Sequence, residues 1–256
     1  MIVDFNAYIG HWPFRRLPAR SADEVVNLLD KTGIDMAAVS SLNSTLYADA
    51  HEGNLELIQE IRHHRERLIP VAVLNPKYPG WEYDLEECIR IGFKGIRLYP
   101  QYHNYMLTDD ECLRFISKVS EMNLVVSIPV RLRDKRGRHW MDAARDIDFA
   151  EVEQLASKSP DSKIVLLESR GAENSTLVKY GNIYFETSRI STTLGEMKKL
   201  FQLVGASRLV FGSGAPLKYI SPATLRVQLL DVREEMKEKI FWRNAFSLLG
   251  LDIGTG

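Results

Sequence analysis

Ile2-Val3-Asp4-Phe5-Asn6-Ala7-Tyr8, at the start of the chain, and Leu209-Val210-Phe211-Gly212-Ser213-Gly214-Ala215-Pro216, near its end, decide the fold. Each reads as a short strand of β-branched and aromatic residues that runs out into polar or glycine positions. Working inward from these two, runs of the same kind recur, so the strand candidates are 2–8, 36–42, 69–74, 95–99, 124–130, 163–168, 182–187 and 208–213. Helix-like stretches separate them. Ser21-Ala22-Asp23-Glu24 and Thr108-Asp109-Asp110-Glu111 have the hydroxyl-to-carboxylate spacing of a capping box, and Gly33, Gly92 and Gly205 fall where helices should end. Strands alternating with helices imply a parallel sheet, because parallel neighbours need a crossover of about a dozen residues. Eight such units in a chain of 256 residues suit an α/β fold of the TIM-like (β/α)8 barrel type.

The composition agrees with one globular domain over residues 1–256: 45% hydrophobic, 26% charged. A net charge of -1 gives no basic surface for a polyanion, so no nucleic-acid partner is expected. Met1-Ile2-Val3-Asp4 lacks a basic segment followed by an apolar one, and no run approaches the roughly 18 apolar residues of a membrane helix. The expectation is a cytoplasmic chain with no membrane partner. Cys88 and Cys112 sit among apolar neighbours without metal-ligand spacing and read as reduced core thiols. Ser221-Pro222 marks a helix start. The segment 234–249 carries an apolar stripe at Met236, Ile240, Phe241, Ala245, Leu248 and Leu249.

In a barrel of this kind the loops after the strands surround the active site. The long stretch from Leu132 to Asp148, after the fifth strand, is therefore a candidate lid. By the alternation of strand side chains, the mouth gathers Asn6, Tyr8, Arg15, Asn75, Arg97, Tyr99 and His103 from the first half of the chain, and Arg131, Arg133, Glu168, Arg170, Glu186, Arg189 and Ser213 from the second. Arginine dominates. Converging guanidiniums suit a planar carboxylate or phosphate; equally, some pair with Asp134, Glu168 or Glu186 in a structural network. Arg97 would point into the outer layer if Leu98 faces the barrel centre.

His103, in Tyr102-His103-Asn104-Tyr105, is placed to act as general acid or base, or to tie its loop by a hydrogen bond. His139 either descends with the long loop onto a substrate or is solvated. Glu168 and Glu186 read as paired carboxylates for proton transfer, or as salt-bridge partners of Arg170 and Arg189. Ser213 lacks the Gly-x-Ser-x-Gly elbow of a nucleophile. His51, His63 and His64 read as surface residues, and His11 as pocket lining or as packing beneath Trp12 and Phe14.

The two opening stretches closely resemble the first and last barrel strands of the amidohydrolase-related superfamily, in its amidohydrolase 2 or aminocarboxymuconate-semialdehyde decarboxylase-like branch. Gly95-Ile96-Arg97-Leu98-Tyr99-Pro100, Tyr184-Phe185-Glu186-Thr187-Ser188 and Arg243-Asn244-Ala245-Phe246-Ser247-Leu248-Leu249-Gly250 extend the likeness along nearly the whole chain. The resemblance implies a metal-dependent hydrolase-like barrel. Yet the family's two first-strand histidines are Asn6 and Tyr8 here, its metal-binding aspartate is Gly214, and Val126-Ser127-Ile128-Pro129 and Leu166-Leu167-Glu168-Ser169 lack the histidines of the fifth and sixth strands. The similarity is to a metal-ligand-poor subgroup continuing into Gly10-His11-Trp12-Pro13-Phe14-Arg15.

A hydrolytic zinc needs about three protein donors and an open position, which an amide and a phenol do not supply. The expectation is therefore no metal and no cofactor. A site rebuilt from His11, His103, His139, Glu168 or Glu186 is the competing arrangement.

Three functions follow. The first is a metal-independent hydrolase acting on a small carboxylated lactone, ester or amide. Its proton-handling residues would be His103, Glu168, Glu186 and Asn6, and its substrate contacts Tyr8, Arg15, Arg97, Tyr99, Arg131, Arg133, His139, Arg170 and Ser213; a decarboxylase or hydratase is its sister. The second is a small-anion-binding pseudoenzyme. The third is a metalloenzyme with substituted ligands. Trp12, Trp81 and Trp140 mark either a homo-oligomer surface or internal packing.

Overall fold

The computed structural model describes residues 1–170, 175–190 and 194–252. Its strands are β1 (Val3–Ile9), β2 (Met36–Ser41), β3 (Leu68–Pro70), β4 (Ala72–Val73), β5 (Gly95–Arg97), β6 (Val125–Pro129), β7 (Lys163–Leu167), β8 (Ile183–Glu186) and β9 (Leu209–Val210). Every pairing is parallel and follows chain order. β3 and β4 are two halves of one strand position: between them the Val71 N–H still donates to the Val39 carbonyl at 2.9 Å. The sheet closes on itself through a parallel bridge between Ala7 and Ala215, with Phe5 N–H donating to Phe211 at 2.9 Å and Tyr8 N–H to Ala215 at 2.8 Å. The result is an eight-position barrel, and all eight expected strands occupy it.

The helices are α1 (Ala22–Thr32), α2 (Ala50–Glu60), α3 (Trp81–Arg90), α4 (Pro100–His103), α5 (Asp110–Glu121), α6 (Phe149–Lys158), α7 (Leu194–Val204), α8 (Ser221–Gln228), α9 (Glu234–Glu238) and α10 (Asn244–Leu249). α1 follows its sequence signals closely. Ser21 and Glu24 form the reciprocal capping box, and Gly33 ends the helix at φ 68, a left-handed position that glycine takes without a Cβ penalty. Its Val25 and Leu29 face the barrel, each worth about 2–3 kcal/mol by burial.

α5 departs from expectation. Thr108 does not cap it; Asp109 precedes the first turn, and its carboxylate instead accepts from Met106 N–H and pairs with Lys77. The segment 234–249 is not one helix either, because a π turn over Lys239–Arg243 separates α9 from α10.

Three apolar layers position the site. The outward side chains of the strands, such as Val39, Leu98, Ile128, Leu166 and Phe185, pack against the helices. Val3, Phe5, Val125, Val165 and Val210 fill the lower barrel and meet Ala245, Phe246, Leu248 and Leu249 of α10, which plugs that end. The upper end is lined by Tyr8, Trp12, Leu42, Tyr99 and Leu217, with Phe14 and Tyr102 against them. Cys88 and Cys112 are buried free thiols, and Trp12 and Trp81 are internal, whereas Trp140 is exposed. His51 corrects its surface reading: it is buried, with Nε2 3.1 Å from Glu87 and Nδ1 3.4 Å from Cys88. Among the described residues no helix is long and apolar enough to cross a membrane.

Candidate active site

The first and last strands meet edge to edge, so the polar residues of both quoted stretches come together at the upper end of the barrel. Asp4 is fully buried and accepts hydrogen bonds from the N–H of Asn6 and of Ser213, both at 2.9 Å, and from the Ser213 hydroxyl. Asn6 then bridges two buried glutamates. Its Nδ2 donates to Glu168 Oε1 at 3.1 Å and to Glu186 Oε2 at 3.2 Å. Glu186 also accepts from the Glu168 N–H at 3.1 Å and from the Ser188 N–H and hydroxyl, the latter at 2.8 Å. Glu168 and Glu186, expected as paired carboxylates, are thus joined through an amide.

Lys218, which sequence reasoning did not single out, completes the cluster. Its Nζ donates to Glu168 Oε2 and lies 3.3 Å from Ser188 Oγ. Two glycines make this possible. A Cβ on Gly212 would lie 2.5 Å from Glu186 Oε1, and one on Gly214 would lie 2.6 Å from Glu168 Oε1 and 3.2 Å from Lys218 Cδ. Gly212 and Gly214 are two residues apart and face the same way, so each seats one glutamate. Glu168 itself sits at φ 61, a left-handed value that costs a non-glycine residue about 1 kcal/mol or more. That turn aims its N–H at Glu186 while its side chain reaches Asn6 and Lys218.

Burial sets the protonation of this group. It pushes Asp4 up to about 6, against the hydrogen bonds from Ser213 and Asn6 that pull it down. It pushes Glu186 up to about 7, with the Asp4 charge adding to the rise and the Ser188 and Asn6 donors opposing it. The Asp4 charge thus makes Glu186 harder to ionise, and near neutrality part of the population holds a proton there. Lys218 moves the other way: burial and the charges of Arg226, Arg133 and Arg131 push its ammonium well below the usual lysine range. About a fifth of its side chain still meets solvent, and its contact with the Glu168 carboxylate favours the charged form.

The remaining expected residues divide. Arg97 lies at the barrel centre and Leu98 in the outer layer, so the alternative that turns Arg97 outward does not hold. Its guanidinium donates to the Phe5 and Ala7 carbonyls and to Ser40 and Ser127, and it covers the Tyr8 ring at 5.0 Å. With its donors committed to β1, β2 and β6, it ties the barrel and supports Tyr8 rather than reaching a substrate. Ser213 is likewise held by Asp4. His103 belongs to the loop tie: its Nε2 lies 3.2 Å from the Ser44 carbonyl, and burial pushes it down to about 4, leaving it neutral at physiological pH. Asn75 accepts from Lys77 N–H in the turn after β4. His11 is exposed and borders a cavity of about 520 Å³ on the flank with Asn43 and Glu56.

The candidate lid folds over the mouth. Tyr102 donates to Asp142 at 3.1 Å, and His139 stacks between Phe14 at 5.8 Å and Trp140 at 5.8 Å. Arg131 and Arg138 share Asp146, and Arg170 and Arg189 share Asp134, the network that the sequence left as the alternative to substrate binding. Arg15 and Arg133 differ. Both donate to the Leu217 carbonyl, at 2.8 and 3.2 Å, and neither forms an ion pair among the described residues. At the same end of the barrel the Tyr8 and Tyr99 hydroxyls and Asn6 Oδ1 are buried without a hydrogen-bond partner among the described residues. Such orphans mark a place where a polar ligand is expected.

A sequence profile of the amidohydrolase family matches residues 7–251. The chain belongs to the amidohydrolase family. No curated protein sequence matches it. Among solved structures, it resembles 2,6-dihydroxybenzoate decarboxylase in complex with 2,6-dihydroxybenzoate, at 17% identity and a TM-score of 0.74, covering 98% of this chain and 99% of that one. It also resembles dihydroxybenzoic acid decarboxylase from Polaromonas sp. JS666 with bound manganese and the inhibitor 2-nitroresorcinol, at 17% identity and a TM-score of 0.76, covering 97% and 96%. A third is 5-carboxyvanillate decarboxylase from Sphingomonas paucimobilis, at 14% identity and a TM-score of 0.73, covering 98% and 99%. These likenesses establish the barrel.

The residues present do not fit a divalent metal. Asn6 turns its NH2, not its oxygen, toward the glutamates, Lys218 already occupies Glu168, and among the described residues no group of three or more His, Cys, Asp or Glu could hold an ion.

Proposed function

We propose that this amidohydrolase-family member is a lyase that removes the carboxylate of a small aromatic acid, with hydrolysis of a carboxylated lactone, ester or amide as the second reading. The observation that carries the proposal is the Asn6-bridged pair Glu168–Glu186 beneath Lys218, set beside the aromatic wall of Tyr8, Trp12, Phe14, Tyr99 and Tyr102. Decarboxylation of an aryl acid breaks the bond from ring to carboxyl carbon and needs one proton delivered to that ring carbon. Glu186, raised to about 7, stores the proton, and Ser188 and Lys218 connect it to the mouth. The carboxylate leaves as carbon dioxide, and Glu186 regains a proton from solvent. Arg15 and Arg133, without carboxylate partners among the described residues, supply positive charge for the incoming acid. The solved decarboxylases of the same fold support this order of the two readings. Water attack on an unactivated ester or amide would need a stronger electrophile than the amide and phenol of Asn6 and Tyr8.

The test is a panel of hydroxylated and methoxylated benzoates beside carboxylated lactones, assayed for released carbon dioxide and for ring-opened acid. Decarboxylation that falls by about 100-fold or more in Glu186→Gln is the expected result. Turnover of lactones alone overturns the lyase reading in favour of the hydrolase. Binding of acids without any turnover points to the anion-binding pseudoenzyme.

A further inference from the structure

We infer that the Lys218 ammonium is the built-in cation of this centre, neutralising Glu168 and so keeping a divalent metal from taking that carboxylate. The inference uses the cluster described above but does not depend on which reaction the cluster performs.

Three observations converge. Glu168 is 1% exposed, so its charge requires a cation at contact, and Lys218 Nζ supplies it. The lysine stem runs across Gly214, where any side chain would strike Glu168 Oε1 at 2.6 Å or Lys218 Cδ at 3.2 Å. A side chain at position 214 would therefore crowd both the lysine stem and Glu168 in this arrangement. Finally, Asn6 Nδ2 lies within 3.1 and 3.2 Å of oxygens from both glutamates. Turning that amide over would put its oxygen beside one oxygen of each glutamate, donors of the kind a hard divalent ion takes. The amide orientation is fixed by its carboxylate neighbours, and of these Lys218 holds Glu168. The ammonium thus determines that the three groups form a hydrogen-bonded cluster rather than a metal site.

The experiment compares wild type, Lys218→Ala and Lys218→Arg, each purified without chelator. Metal content is read by elemental analysis, and thermal stability is followed during titration with manganese and with zinc. The expected results are metal well below one equivalent and no thermal shift for wild type and Lys218→Arg. Lys218→Ala should be destabilised, take up about one equivalent of manganese and regain stability as it does so. Adding Glu168→Gln to Lys218→Ala should abolish that uptake. Stoichiometric metal in wild type overturns the inference, and so does a folded Lys218→Ala that ignores both ions. If Lys218→Ala does not fold alone, Lys218→Ser replaces it; failure of both to fold even with manganese also overturns it, since the metal should then substitute for the ammonium. No readout involves turnover, so an inactive protein leaves this test intact and a failed metal result leaves the lyase assay intact.

Discussion

Replacing Asp4 with asparagine should reverse part of the pH dependence of stability. The exchange is close to isosteric. The asparagine oxygen can keep the two N–H donors of Asn6 and Ser213 at 2.9 Å, and its NH2 can donate to the Ser213 hydroxyl oxygen. In the wild type, burial raises Asp4 from the ordinary 3.8 to about 6. A raised carboxyl stabilises the fold while it is protonated, so its contribution is fully present below the unfolded value and is lost as pH rises through the folded one. The rise is roughly 2 units, and at about 1.4 kcal/mol per unit the loss is about 3 kcal/mol between about pH 4 and about pH 7. Asp4 is completely buried, so solvent screening does not reduce this figure much. His103 has the opposite sign: burial lowers it to about 4, and its contribution to stability grows as pH rises through the same window. The wild-type curve therefore mixes two slopes, but the difference between Asp4→Asn and wild type cancels His103. That difference, from urea unfolding at a series of pH values, should climb by about 3 kcal/mol from about pH 4 to about pH 7. Removing the Asp4 charge also lowers Glu186, which steepens the climb. A flat or falling difference would refute the assignment of a proton to this buried carboxyl.

Arg97→Met should cost about 3–5 kcal/mol in urea unfolding, because it removes hydrogen bonds to β1, β2 and β6 and leaves those acceptors buried; a loss below about 1 kcal/mol would mean the guanidinium is not the barrel tie. Gly214→Ala combines φ 73 with a Cβ 2.6 Å from Glu168 Oε1, and should lower stability by about 1–3 kcal/mol and weaken the Lys218 contact, checked by thermal unfolding. His103→Asn should remove the gain in stability between about pH 4 and about pH 6.5, read as a smaller slope in the same urea series, whereas an unchanged slope would place the titrating group elsewhere.

The barrel was legible because its signals are local: β-branched runs, a capping box at Ser21 and a left-handed glycine at 33 each act within a few residues. The site was legible in part. Asn6 lies within β1, Glu168 directly follows β7 and Glu186 ends β8, and strand alternation sends them to one place. The orientation of Arg97 stays open in the sequence because it depends on whether Leu98 or its neighbour faces inward. With only three residues in β5, the alternation gives little evidence, and the decision came from contacts to β1 and β2. Lys218 was missed because it lies past the last strand, in a stretch where a surface lysine is the ordinary reading. The available signal was the spacing of Gly212 and Gly214: two glycines on one face of a closing strand leave room for something large, and the side chains that fill it come from β7, β8 and the loop itself. Asp4 gave no signal, since a buried aspartate and an exposed one look alike in sequence.

The polar centre bears on whether the barrel catalyses or only binds. Asp4, Asn6, Arg97, Glu168 and Glu186 are almost wholly removed from solvent, and apolar side chains of similar volume would pack the upper barrel with less desolvation. A binding pocket for a carboxylated compound needs the cations at its rim, and Arg15 and Arg133 supply those without any buried acid. Two carboxyls raised by burial, Asp4 and Glu186, the second bridged by an amide to Glu168 and linked through Ser188 to an ammonium, add nothing to anion affinity; negative charge beneath an anion site weakens it. What the arrangement does provide is a proton held near neutrality within reach of the mouth, the requirement of acid–base chemistry. The enzyme reading therefore accounts for the groups that the binder reading leaves as a penalty, and it makes a separable claim. Converting Glu186 to glutamine should impair turnover and leave acid binding intact, whereas in a binder the same change would leave nothing to impair.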